Sequence, residues 1–306
     1  MEEQYRQTPP RQRRGGYAGG FWHVWGPLLI KWGIAAIVSI LAMIALVMAY
    51  TAKNEQVVMK AMENEDQMLG IYNKIFEQYF RFSTLIEGMA AVITIPVMMW
   101  MFHRDRVAEK QQGILPAKKA PVYKYVASLL MALALSIGLN NLIIIGNFSS
   151  YSETYQNTMD ALYSAAFPIQ LISLGILIPI CEELVFRGLI YQRLKASGTV
   201  MSAMLYSAMV FGLMHGNMVQ MLYGFLLGLL LAWIYEKYGS VWAPITAHIV
   251  MNIFSVVATQ YKIYDFLAKD IRYIGGVTVV CAAIGACMYL VIQRIGDDSP
   301  ETSENF

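Results

Sequence analysis

Apolar residues along this chain gather into blocks much longer than one face of a soluble helix requires. A helix crosses the hydrocarbon core of a bilayer with about 20 mostly apolar residues. Blocks of that scale cover 28–50, 83–102, 124–146, 164–186, 199–215, 218–235, 240–260 and 273–293. The pattern predicts an all-α membrane protein, a polytopic helical bundle of about eight transmembrane helices. Residues 51–82 break the pattern, with Glu55, Glu63, Glu65, Asp66 and Glu77 set among apolar positions. That mixture predicts a pair of helices on the membrane surface, packed through Met59, Met62, Met68 and Ile71.

The polar segments divide the chain further. Residues 1–26 form a basic, Gly-rich arm expected to be disordered, and residues 297–306 an acidic tail. No cleavage pattern follows the arm, and the first apolar block is too long for a signal-peptide core, so it reads as a retained span. Between the ends lie an N-terminal membrane region, 27–163, with three spans and the polar segment 51–82. A membrane core follows over 164–262, then a last span within 263–296.

Composition narrows the class. Hydrophobic residues make up 57% of the chain and charged residues 14%, against about 25% charged in soluble domains. The net charge is only +2, so no global basic field attracts a polyanion, and nucleic acid is excluded as a partner. Three cysteines build no disulfide framework; Cys281 and Cys287 lie too far apart on one helix to bridge, and Cys181 reads as a small packing residue. Of the 23 Lys and Arg, 16 fall on one side and 7 on the other when the spans are threaded with the N-terminus inside. The positive-inside rule then places both termini in the cytoplasm of a multi-pass cell-membrane protein. Trp22, Trp25, Trp32, Trp100 and Trp242 lie near span ends, as interfacial anchors do.

Ionisable residues inside spans are costly, roughly 3 kcal/mol each, and mark functional sites. Here they are Glu87, Glu182, Glu183, Arg187, His215 and His248, with Asn252, Gln170 and Gln220 as neutral polar companions. Glu183 and Arg187 are spaced i, i+4, which suits an ion pair along one helix. Adjacent helical residues point about 100° apart, so Glu182 faces elsewhere with no local cation. Phe211 with His215, and His248 with Asn252, repeat the i, i+4 spacing, and Gly216 is placed to end its helix. At about 1.5 Å rise per residue, Glu182, His215, His248 and Asn252 fall within about two turns of one depth, and a kink at Pro244 would help them converge.

A buried carboxylate beside two imidazoles suits activation of water, and Asn and His can donate hydrogen bonds to a developing oxyanion. The same Glu182, His215 and His248 also form a two-His, one-Glu set of the kind that holds catalytic zinc. The soluble zinc-protease signature H-E-x-x-H is absent, and the cofactor stays open between zinc and none.

Glu182-Glu183-x-x-x-Arg187, Phe211-x-x-x-His215 and His248-x-x-x-Asn252, in this order and within spans, resemble the three motifs of the CAAX-protease and bacteriocin-processing family. Gly228, Tyr238-Gly239-Ser240 and Trp242-Ala243-Pro244-Ile245 are similar to the same family between those motifs, and the similar stretch runs from about Pro168 to Gln260. The resemblance implies an intramembrane endopeptidase, glutamate-type or metallo-, acting on a membrane-associated protein or peptide by CAAX-type or leader-peptide processing. It implies Glu182 as catalytic glutamate, His215 as its partner on the water, Glu183 and Arg187 as a supporting pair, and His248 and Asn252 as groups for oxyanion or metal. Two other functions compete: a non-catalytic membrane scaffold or bacteriocin-immunity factor of the same family, and a proton-coupled transporter. Against the transporter, the chain shows no internal repeat. Gly224-x-x-x-Gly228 reads as packing inside one bundle in preference to a dimer seam.

Overall fold

The computed structural model describes residues 20–148 and 153–295. Among these residues eleven α-helical segments follow one another: α1 Phe21–Lys53, α2 Glu55–Ala61, α3 Glu65–Gln111, α4 Tyr125–Ile145, α5 Glu153–Tyr163, α6 Phe167–Ser197, α7 Val200–Leu213, α8 Met218–Tyr238, α9 Trp242–Gln260, α10 Ile263–Leu267 and α11 Ile271–Gln293. Seven of them, α1, α3, α4, α6, α8, α9 and α11, are long and apolar enough to cross a membrane. The eighth expected span, α7, is apolar but has only 14 residues, about 21 Å, short of the ~30 Å hydrocarbon core. It stops because the chain turns back at once: Gly216 adopts φ +74°, and Asn217 caps α8 by accepting from Gln220 N–H at 2.9 Å. The helix thus ends just before His215, which lines the interior cavity.

The polar stretch 51–82 is not a self-contained helix pair. Only α2 stands apart; the rest is the first part of α3, which runs unbroken for 47 residues, about 70 Å. Asn64 starts it by accepting from Gln67 N–H at 3.1 Å, and no residue with a helix-stopping role separates its amphipathic half from its apolar half. Ile71 packs as expected, with Ile75, Val58 and Ala61 against Met43, Leu46, Tyr50 and the half-buried Met68. Met59 and Met62 instead face outward, 62% and 72% exposed. Helix α1 begins at Phe21, inside the stretch expected to be a disordered arm; the remainder of that arm, residues 1–19, and the acidic tail lie outside the described residues.

Two core clusters meet around α6 and α8. One joins Val24, Leu28, Met98 and Met101 to Val185, Phe186, Leu189 and Ile190. The other joins Leu227, Leu231 and Ile234 to Ala243, Ala247 and Met251. Helices α7 and α8 approach closely through glycines. A Cβ on Gly228 would meet Ala208 Cα and Cβ at 3.1 Å, and one on Gly212 would meet Met221 O at 2.6 Å. The Gly224-x-x-x-Gly228 stripe is therefore used within one chain. One end of the bundle is tied by ion pairs, Arg193 with Asp105 at 2.7 Å and Lys195 with Glu236. Pro244 lies in the first turn of α9, where its missing N–H costs nothing, and bends no helix interior.

Substituting Gly228 by Leu is expected to lower the thermal stability of the purified protein by about 1–3 kcal/mol through overpacking. Gly275→Ala, in α11 with nothing within 4 Å of its added Cβ, should not lower it. Equal melting of both variants would overturn the close α7–α8 packing.

Candidate active site

Helix α6 carries the carboxylates, and it is not a uniform α-helix. Its turns widen to π spacing over Ser173–Leu177 and again over Leu184–Tyr191. The first widening has a sequence cause. Ile178 N–H reaches back five residues to Ser173 O, so Leu174 O would need the N–H of residue 179, which is Pro179 and has none. A buried carbonyl must find another donor, and Asn252 Nδ2 from α9 supplies it at 2.9 Å.

One and two turns beyond Pro179, Glu183 and Arg187 are both fully buried. Arg187 Nη1 donates to Glu183 Oε1 at 2.9 Å, and Nη2 donates to Gly228 O on α8 at 3.0 Å. The guanidinium lies 4.5 Å from the centre of the Phe211 ring, a cation–π contact. Glu183 Oε1 also accepts from His248 Nδ1 at 2.8 Å. The expected Glu183–Arg187 pair is present, and it has a third member that spacing along one helix could not reveal. Because Glu183 Oε1 is an acceptor, His248 carries its proton on Nδ1, which leaves Nε2 unprotonated in the neutral ring.

His215 follows the same rule. Its Nδ1 lies 2.8 Å from Phe211 O, one turn back, and the two rings stack edge to face at 5.0 Å. A carbonyl only accepts, so Nδ1 donates and Nε2 is again the free nitrogen. Close approach of α8 at Gly224, where an added Cβ would meet His215 Nδ1 at 3.1 Å, fixes the ring.

Glu182 points away from Glu183, as the helical angle requires. It lies on a cavity of about 480 Å³ inside the bundle, whose walls also include His215, His248 and Asn252. The volume suits a ligand-sized guest. The four residues read from sequence therefore share one chamber, reached from α6, α9 and the turn after α7. Gln170, by contrast, ties the α5–α6 turn, donating to Tyr163 O at 2.9 Å and Ala165 O at 2.7 Å. Cys181 is buried on the same wall. The zinc arrangement of Glu182, His215 and His248 is not assembled: among the described residues no three His, Cys, Asp or Glu side chains stand close enough to ligate one ion.

Two further charged residues stand on the cavity wall. Lys31 of α1 places Nζ 3.6 Å from Glu182 Oε1, and Glu87 of α3 lines the same chamber. A signal for Lys31 exists in the chain: a charge three residues inside an apolar block carries the same expense as Glu182. Trp32 beside it also lines the cavity.

Residues 164–254, which include Glu182, Glu183, Arg187, His215, His248 and Asn252, match the profile of a family described as "Type II CAAX prenyl endopeptidase Rce1-like". Over 119 residues the chain is 30% identical to the Bacillus subtilis (strain 168) protein named "Putative membrane peptidase YdiL". That stretch is 39% of this chain and 48% of the relative, so the chain spans about half the length of the curated protein it matches. No solved structure matches the chain significantly.

Replacing Glu183 by Gln leaves a buried guanidinium without a counter-ion and is expected to cost about 3–5 kcal/mol of stability. Combined with Arg187→Met, the loss should be smaller than the sum of the two single losses, since the residues act as one unit. Thermal unfolding in detergent measures both. Strict additivity would mean that the pair is not coupled.

Proposed function

We propose that this protein is a member of the CAAX-protease and bacteriocin-processing family and an intramembrane endopeptidase, a reading supported by the match over residues 164–254. It hydrolyses a peptide bond in a membrane-associated protein or peptide, of the CAAX or leader-peptide type, using water activated by Glu182 and His215. The observation that carries the proposal is the shared chamber: Glu182, His215, His248 and Asn252 converge on one cavity inside a bundle of membrane-length helices.

The chemistry follows from which atoms are free. Water donates one hydrogen to Glu182 and the other to the unprotonated Nε2 of His215. As its oxygen attacks the peptide carbonyl, the proton passes to Glu182 and the carbonyl oxygen becomes an oxyanion. Glu182 then returns the proton to the departing amine nitrogen, and the C–N bond breaks. To donate to the oxyanion, His248 must carry a proton on Nε2 throughout the step, in addition to the Nδ1–H it gives Glu183 at 2.8 Å. Asn252 has a second amide hydrogen beyond the one given to Leu174 O. Glu183 and Arg187 touch no reacting atom; they hold α6 against α8 and α9.

Loss of a general base commonly slows a reaction by about 10²–10⁴-fold. Glu182→Gln is therefore expected to fold normally and lose cleavage of a fluorogenic transmembrane peptide in liposomes by that factor. His215→Ala and His248→Ala should each be impaired, and Asn252→Ala less so. Near-wild-type cleavage by Glu182→Gln overturns this assignment. The same assay run after a strong chelator, with zinc then returned, separates the two subtypes. Zinc-specific recovery would favour the metallo-endopeptidase, and full activity after verified metal removal the glutamate type.

The same proposal sets both termini in the cytoplasm, on the distribution of basic residues. A reporter active only inside the cytoplasm should be active at either terminus. Activity of a C-terminal reporter only on the outer side would reverse the orientation.

A further inference from the structure

Glu182 has no cation on its own helix to work with. Arg187 commits both terminal nitrogens to Glu183 and Gly228 and is fully buried behind them. The ammonium that faces Glu182 comes from a helix distant in sequence. Lys31 lies ten residues into α1, within an apolar stretch, and its Nζ stands 3.6 Å from Glu182 Oε1. A lysine that only snorkels to an interface would turn its tip outward. This one lines the cavity instead, with its side chain 24% exposed and that of Glu182 15% exposed. Among the described residues that line the chamber it is the one Lys or Arg, set against two carboxylates, Glu87 of α3 and Glu182 itself. Helix α1 also lies outside the segment 164–254 that matches the family.

We infer that Lys31 is a positioning residue for Glu182: it aims and holds the carboxylate from α1 and acts on the water only through it. The inference rests on the reading of Glu182 as the water-activating group. The distance supports this role. At 3.6 Å the ammonium attracts the carboxylate but lies beyond direct hydrogen-bond range. The carboxylate oxygens stay available to accept from water, whereas a tight hydrogen bond would compete for the same lone pairs. Because α1 packs on α3 through Val24 and Leu28 against Met98 and Met101, the N-terminal region completes a site whose motif residues all lie in the second half of the chain.

Lys31→Met keeps the length of the side chain and removes its charge; Lys31→Arg keeps the charge. On the fluorogenic transmembrane peptide, Lys31→Met is expected to lower kcat about ten- to a hundredfold, the scale of a misplaced catalytic group, with KM little changed. Lys31→Arg should recover most of the loss, and adding Glu87→Gln to Lys31→Met should recover none. Unchanged kcat in Lys31→Met, a loss confined to KM, failure of Lys31→Arg to recover, or recovery through Glu87→Gln each overturns the inference. If the wild-type protein cleaves no peptide, the peptidase reading fails on its own account. The contact is then read without activity, by cross-linking Lys31→Cys to Glu182→Cys with a short bifunctional thiol reagent after Cys181, Cys281 and Cys287 are replaced. A cross-link supports the juxtaposition, and its absence overturns it.

Discussion

A charged cluster sealed inside the bundle governs how the rest of the site is arranged. Glu183, Arg187 and His248 meet around one carboxylate oxygen, with Gly228 O as the further acceptor for the guanidinium. Each of these groups would be costly to bury alone, and each has a partner on another helix. Pairing these groups sets α6, α8 and α9 in register, with Glu183 Oε2 and Arg187 Nε left without a hydrogen-bond partner. It also fixes the ring of His248, and the small residue at 228 lets the α8 backbone come near enough to accept from Arg187.

The widened turns of α6 belong to the same design. A proline at 179 removes the donor that Leu174 O would otherwise receive, and Asn252 fills the place. A second interhelical bond thus forms one turn along α9 from His248. The two polar residues of that helix face therefore tie helices together while lining the cavity. Breaks in regular helix geometry are tolerated inside a membrane protein where neighbouring helices satisfy the freed groups, and such π turns recur at functional sites.

Much of this was legible in the chain. Long apolar blocks announce membrane-length helices because hydrocarbon demands them, and the i, i+4 pairs Glu183–Arg187 and Phe211–His215 are local facts of a helix. The opposed directions of Glu182 and Glu183 follow from the angle between neighbours. Where local polarity misleads, the reason is equally physical. Residues 51–82 look like a separate helix pair because Glu55, Glu63, Glu65, Asp66 and Glu77 interrupt the apolar pattern, yet nothing stops the backbone beyond Glu65, so that helix continues into the bundle. Residues 199–215 look long enough to span, yet the turn at Gly216 ends the helix short of that.

The sequence by itself determined the class of protein, the helices that carry polar groups and the spacing of those groups along each helix, because periodicity and hydropathy act over a few residues. Only the tertiary structure decided which helices meet. His248 lies 65 residues from Glu183 and Lys31 lies 151 from Glu182, and no local rule connects them. Those contacts depend on how helices pack across the bundle, where the need to pair buried charge selects among arrangements that the apolar pattern alone leaves equivalent.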